Sequence, residues 1–278
     1  MKNLIISIFK TFLFFDLSLI VINLLPEVSG KNAGVSALLN AIIGFSVVLV
    51  LTVVFLLFVE KRKISLPFEK PVSGVFKGIF FGAFPPVIAL AFAAFFNKFK
   101  FTPENDIKKI GLWWLILLIN CIMTELLLRG YLFALYKKHF GLTISVIATT
   151  LLSCSLDFSI FSGSKIYIAN IILFNILLCF ILNSSKSILA SVIAKFTFLA
   201  INTVLLGCKY PLGGYPAVYK ITFSGNILLN GGKYGIMGSV LMLVLLLVIC
   251  LIFIYKAYNV SENLKKFSKF MKRFSNKA

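Results

Sequence analysis

Apolar residues run along this chain in blocks of about 18 or more, separated by short polar stretches. At roughly 1.5 Å of rise per residue, a helical block of that size matches the roughly 30 Å of hydrocarbon in a bilayer. Eight such blocks can be read, at about 4–25, 35–59, 74–96, 112–136, 142–161, 166–182, 187–206 and 236–258. The pattern predicts an all-α fold, a polytopic transmembrane helical bundle of about eight spans. The first block follows Met1-Lys2 as a secretory leader would. It is long, however, carries Asp16 and lacks a small-x-small cleavage site before Pro26, so it reads as a retained span.

Composition agrees with the pattern. A chain of 278 residues that is 60% hydrophobic and 13% charged could not keep so much apolar surface out of water as a soluble domain. The basic residues collect at alternate block ends: Lys61, Arg62 and Lys63, then Lys137 and Lys138, then Lys186, and finally Lys265, Lys266, Lys269, Lys272, Arg273 and Lys277. The opposite side carries the mixed segment 97–110, in which Glu104 and Asp106 partly offset the lysines. By the positive-inside rule both termini lie in the cytoplasm. Richness in Lys, Asn, Ile and Phe points to a bacterial plasma membrane.

The net charge of +19 comes mostly from loops and tail, without the aromatic-basic interleaving of a nucleic-acid groove. It is read as a topology signal with attraction to membrane lipids, and no nucleic-acid partner is expected. In the tail, Leu264, Phe267, Phe270, Met271 and Phe274 recur at near-helical spacing, as in a helix lying along the inner leaflet. Three parts follow: N-terminal membrane helices over 1–110, a core over 111–258, and a basic amphipathic tail over 259–278.

Chemistry-bearing residues are few. The five cysteines form no C-x-x-C pair and behave as small hydrophobes. The single histidine, His139, follows two lysines at a block end, which excludes a His-rich metal site or a Ser-His-Asp triad inside the spans. No cofactor or metal is expected. Within the spans, Glu125 and Arg129 share a helix face four residues apart, Asp157 interrupts the fifth block and Lys195 the seventh. Charges in hydrocarbon cost at least about 2.5–3.5 kcal/mol each at a helix centre and tend to pair or line a cavity. Two pairs are predicted: Glu125 with Arg129, and Asp157 with Lys195. Asn170, Asn175 and Asn202 read as interhelical glue.

The run Thr124-Glu125-Leu126-Leu127-Leu128-Arg129-Gly130-Tyr131-Leu132-Phe133 resembles the first motif, E-E-x-x-x-R-G, of the CAAX protease and bacteriocin-processing (CPBP or Abi) family of intramembrane proteases. The family's second motif, F-x-x-x-H, aligns with 153–157 and its third, H-x-x-x-N, with 195–199, in the same order and on corresponding spans. The segment 225–235 is similar to the extracytoplasmic loop of many members. The resemblance implies a CAAX-protease-like core. It also implies a mechanism in which the first glutamate is general base to a water, and the histidines and asparagine position that water or stabilise the oxyanion. In this chain those places hold Thr124, Asp157, Lys195 and Leu199, while Glu125 and Arg129 are retained in supporting positions. A threonine hydroxyl is no base near neutral pH. The expectation is therefore a pseudoprotease: a non-catalytic homologue of glutamate-dependent endopeptidases that binds a partner membrane helix or peptide, as a scaffold or a bacteriocin-immunity protein does. The alternatives are a peptidase with a rearranged centre using Glu125 or Asp157, and a transporter or lipid-handling protein.

Overall fold

The structure, a computed structural model, describes residues 2–61, 67–96, 98–105, 107–156, 158–208 and 214–275. Helix α1 spans Lys2–Leu24 and α2 Ala33–Val54, the latter prolonged by a π turn over Phe55–Val59. Next come α3 (Pro71–Phe96), strand β1 (Lys98–Pro103) and α4 (Ile107–Glu125). A π-helical segment, Leu126–Leu132, carries α4 without interruption into α5 (Phe133–Ser155). Helices α6 (Lys165–Ser185) and α7 (Ile188–Leu199) follow, and a second π segment, Ala200–Leu205, ends α7. Strand β2 (Tyr219–Ser224), the short α8 (Ile227–Asn230) and the long α9 (Val240–Ser275) complete the chain. The backbone of the basic tail is thus helical as far as residue 275.

Among the described residues, seven helical segments are long and apolar enough to cross a bilayer. The longest, Ile110–Ser155, has 46 residues, about twice what one crossing needs. It breaks at Gly141, whose φ of 83° lies in the left-handed region that only glycine enters freely. This one segment therefore holds both the fourth and the fifth apolar blocks of the sequence.

Contacts between the connecting segments sort by end, as successive crossings require. At one end Lys137 donates to Asn183 (2.5 Å), Lys186 pairs with Glu69 (3.5 Å), and Thr143 meets Tyr258 (2.7 Å). At the other, β1 and β2 form an antiparallel ribbon running from Lys98 opposite Ser224 to Pro103 opposite Tyr219. There Asn105 donates to the Ala217 carbonyl (2.8 Å), and the Tyr234 hydroxyl donates to the carbonyl of Ser162 (3.3 Å).

Small residues set the closest helix contact. Gly74, Gly78 and Gly82 recur every fourth residue on α3 and face Ser187, Ala190 and Ala194 on α7. A methyl group at Gly78 would stand 2.8 Å from the Ala190 carbonyl oxygen, and one at Gly82 would strike the Ala194 backbone. In a lipid solvent no hydrophobic force gathers helices, so this close fit is what holds α7 in place. Helices α1 and α2 join the core through an aromatic cluster. The Tyr131 ring lies 4.6 Å from Phe14 and 5.7 Å from Phe55, and its hydroxyl donates to Glu60, which also pairs with Lys10 at 2.5 Å.

Candidate functional site

Glu125 is the last residue of α4 and is fully buried. Its neighbour Arg129, one turn on in the π segment, is only 1% exposed and donates Nη1 to Glu125 Oε1 at 2.6 Å. The i, i+4 pair read from the sequence is therefore formed. Helix α6 completes the guanidinium's shell. The Asn175 side chain donates to the Ile171 carbonyl one turn back, which turns its Oδ1 outward to accept from Arg129 Nη2 at 3.1 Å; the Asn175 carbonyl accepts from the same nitrogen at 3.0 Å. Ser153 on α5 donates to that Oδ1 at 2.6 Å. Asn175 thus links three helices around one buried charge, as the glue reading anticipates.

Lys195 reaches the same carboxylate from α7. Its Nζ donates to Thr124 Oγ1 at 2.6 Å and lies 3.5 Å from Glu125 Oε1, with the side chain 5% exposed. Its acidic partner among the described residues is therefore Glu125. Asp157, the partner predicted for it, lies outside the described residues, as do Arg62, Lys63, Asp106 and Lys277. The reason for the placement is geometric: the glycine face of α3 seats α7 so that the residue after Ala194 enters the α4 side of the bundle. Thr124 Oγ1 in turn donates a hydrogen bond back along α4 to the carbonyls of Asn120 (2.9 Å) and Cys121 (3.2 Å).

One carboxylate oxygen thus meets two cations. Glu125 Oε2, also buried, has no hydrogen-bond partner among the described residues. Counted among the described residues, the cluster holds one acid and two bases. Low dielectric strengthens the attractions, but one positive charge stays uncompensated within it.

Beside the cluster lies a cavity of about 150 Å³ between α4 and α7. Asn120, Thr124, Lys195 and Tyr215 form its polar wall, and Leu117, Cys121, Met123 and Leu199 its apolar one. Three of the positions that align with family catalytic residues, Thr124, Lys195 and Leu199, therefore converge on one space. Leu199, where the family carries asparagine, offers it only hydrocarbon. Tyr215 reaches the cavity from the connection that precedes β2, packs edge-on against Trp113 with ring centres 6.3 Å apart, and accepts a bond from Asn120 Nδ2 at 2.8 Å. Burial pushes its phenol above the ordinary value, opposed in part by the Asn120 bond. A larger cavity of about 340 Å³, next to β2 and Cys208, contains none of the candidate residues.

Sequence reasoning missed Asn120 and Tyr215. Asn120 precedes Thr124 by four residues, on the same helix face, a signal that could have found it. Tyr215 stands in a Gly/Pro-rich connection with no periodicity to place it. His139 is exposed at the basic end, and no group of three or more potential metal ligands occurs among the described residues.

No curated protein and no solved structure matches the chain. A family model does: the one described as Type II CAAX prenyl endopeptidase Rce1-like matches residues 106–201, the stretch that contains every motif position discussed above. With its multiple apolar helices, the chain is a membrane protein whose central segment, 106–201, is similar to the Rce1-like CAAX protease family.

Proposed function

We propose that this protein is a non-catalytic relative of the CAAX proteases, one that receives a side chain of a partner membrane helix or peptide in the cavity between α4 and α7, in the manner of a scaffold or immunity protein. The observation that carries this reading is the mutual satisfaction of the groups at the aligned catalytic positions. Lys195 is engaged by Thr124 and Glu125, Thr124 by a backbone carbonyl, and Leu199 has nothing to donate. Among the described residues that line that space there is no carboxylate or imidazole to serve a water as general base. At about 150 Å³ the cavity falls below the roughly 300–1,000 Å³ of small-molecule sites but accommodates one side chain. With the basic loop ends placed inside, both termini face the cytoplasm of a bacterial plasma membrane.

A photo-reactive residue in place of Met123, at the cavity wall, tests the reading in native membranes. The expected product is an attached partner of full length, and Leu199→Trp, which fills the cavity, should abolish attachment while the protein stays folded. Attachment indifferent to Leu199→Trp, or a partner shorter than its parent, overturns it.

A second reading rests on one distance. Thr124 Oγ1 at 2.6 Å from Lys195 Nζ is the spacing of a hydroxyl nucleophile and an amine base. It requires a neutral lysine that accepts the threonine's proton. Labelling of Thr124 by a β-lactone probe, lost in Lys195→Met, would establish this rearranged centre in place of the first reading.

A further inference from the structure

At the basic end of the bundle, α3, α6 and α9 enclose a cavity of about 450 Å³, three times the volume of the one beside Glu125. Its rim is cationic: Lys77 from α3, Lys186 from the end of α6 and Lys256 from α9, with the amide of Asn183 and the hydroxyl of Ser184 between them. Lys186 shares a distant contact with Glu69, whereas Lys77 and Lys256 have no ion-pair partner among the described residues. The inner wall is aromatic. Phe81 and Phe253 meet edge-on with ring centres 4.9 Å apart, and Phe180 is buried beneath.

We propose that this cavity binds the headgroup of an anionic phospholipid. Three lysines gathered on one opening repel each other unless an anion joins them. Lysine serves phosphate as a point charge, and the amide nitrogen of Asn183, whose oxygen accepts from Lys137, offers a donor to the remaining oxygens. The aromatic wall argues against a free ion as occupant. A soluble phosphate gains nothing from Phe81 and Phe253, whereas an amphiphile lays its glycerol and first methylenes against them. Depth agrees: Lys77 lies two turns inside α3, Asn183 and Ser184 lie at the last turn of α6, and Lys256 lies three residues before the end of the apolar segment Gly232–Asn259. Basic pockets between membrane helices at this level are where acidic headgroups reside. The site is separate from the Glu125 cluster and does not depend on the function proposed above.

The test uses the full-length protein reconstituted in bilayer discs of phosphatidylcholine with a minority of phosphatidylglycerol, followed by gentle transfer to detergent and native mass spectrometry. Wild type should retain phosphatidylglycerol far above its share. The double variant Lys77→Gln/Lys256→Gln should bind it roughly 20- to 30-fold more weakly, while Lys265→Gln/Lys266→Gln in the tail leaves retention unchanged. Equal retention of both lipids, or equal loss in the tail variant, overturns the proposal. Displacement of the lipid by millimolar inorganic phosphate would assign the site to free phosphate instead and overturn the lipid source. If the double variant fails to fold, a phosphatidylglycerol with a photo-reactive headgroup on wild type decides the matter: adducts on peptides covering 71–81 and 250–257 support the site, and adducts elsewhere refute it.

Discussion

Glu125→Gln keeps the shape of the side chain and removes one charge where two cations converge. At an effective dielectric of about 20, opposite charges at the 2.6 Å of Arg129 attract by about 6 kcal/mol, and at the 3.5 Å of Lys195 by about 5 kcal/mol. Against this stands the several kcal/mol of carboxylate desolvation that glutamine avoids. The expected loss is about 3–5 kcal/mol, the range for removing one partner of a buried pair and a large part of a total near 5–15 kcal/mol. Lys195→Met should behave oppositely. It leaves one acid with one base, replaces a buried ammonium with hydrocarbon, and should stay within about 1 kcal/mol of wild type or stabilise it. Combined with Glu125→Gln it should recover about 1–3 kcal/mol, because it removes one of two uncompensated cations. Reversible unfolding in mixed micelles reads all four proteins through the two tryptophans, Trp113 and Trp114, both on α4. If Lys195→Met costs as much as Glu125→Gln, or if the two effects simply add, the one-acid, two-base cluster is wrong.

Further outcomes are expected elsewhere. Gly82→Ala, which drives a methyl into the Ala194 backbone, should lower stability by about 1–3 kcal/mol, whereas Gly111→Ala, with open space around it, should be neutral or gain up to about 1 kcal/mol in the same unfolding assay. Asn175→Leu removes one of two acceptors for Arg129 Nη2 and should cost about 1.5–3 kcal/mol; an effect below that range means Ser153 and the backbone carbonyl suffice. The buried Tyr215 phenol holds its proton more tightly folded than unfolded. Its stabilising share is complete below the unfolded value of about 10 and is lost as pH rises through the folded value. Tyr215→Phe should therefore flatten the decline of the unfolding midpoint at alkaline pH, measured against wild type.

The membrane helices are legible because one quantity, apolar length, sets them, and the Glu125–Arg129 pair because four-residue spacing within a helix is local geometry. That Lys195 also meets Glu125 was not legible: which helix a buried charge meets depends on interhelical distance, set here by Gly74, Gly78 and Gly82 acting through α7. The β ribbon left a trace that this reading passed over. Lys98-Phe99-Lys100-Phe101-Thr102 and Tyr219-Lys220-Ile221-Thr222-Phe223 each alternate with period two, but the first sits in a segment weighed for its charges and the second in a Gly/Pro-rich connection. Asn175 was placed correctly as glue, while its role of holding Arg129 needed the rotamer that its own backbone bond imposes.

Because the fourth and fifth apolar blocks meet at Gly141 with no longer loop between them, they behave like the legs of a drawing compass. They stay together at the basic end and can part only toward the ribbon. Thr124 sits about 25 Å along the leg from that joint, at 1.5 Å per residue. A swing of about 5° there would carry it roughly 2 Å, enough to admit or refuse a methyl-sized group. The point from which such a swing would pivot is thus a single glycine at the basic end of the bundle.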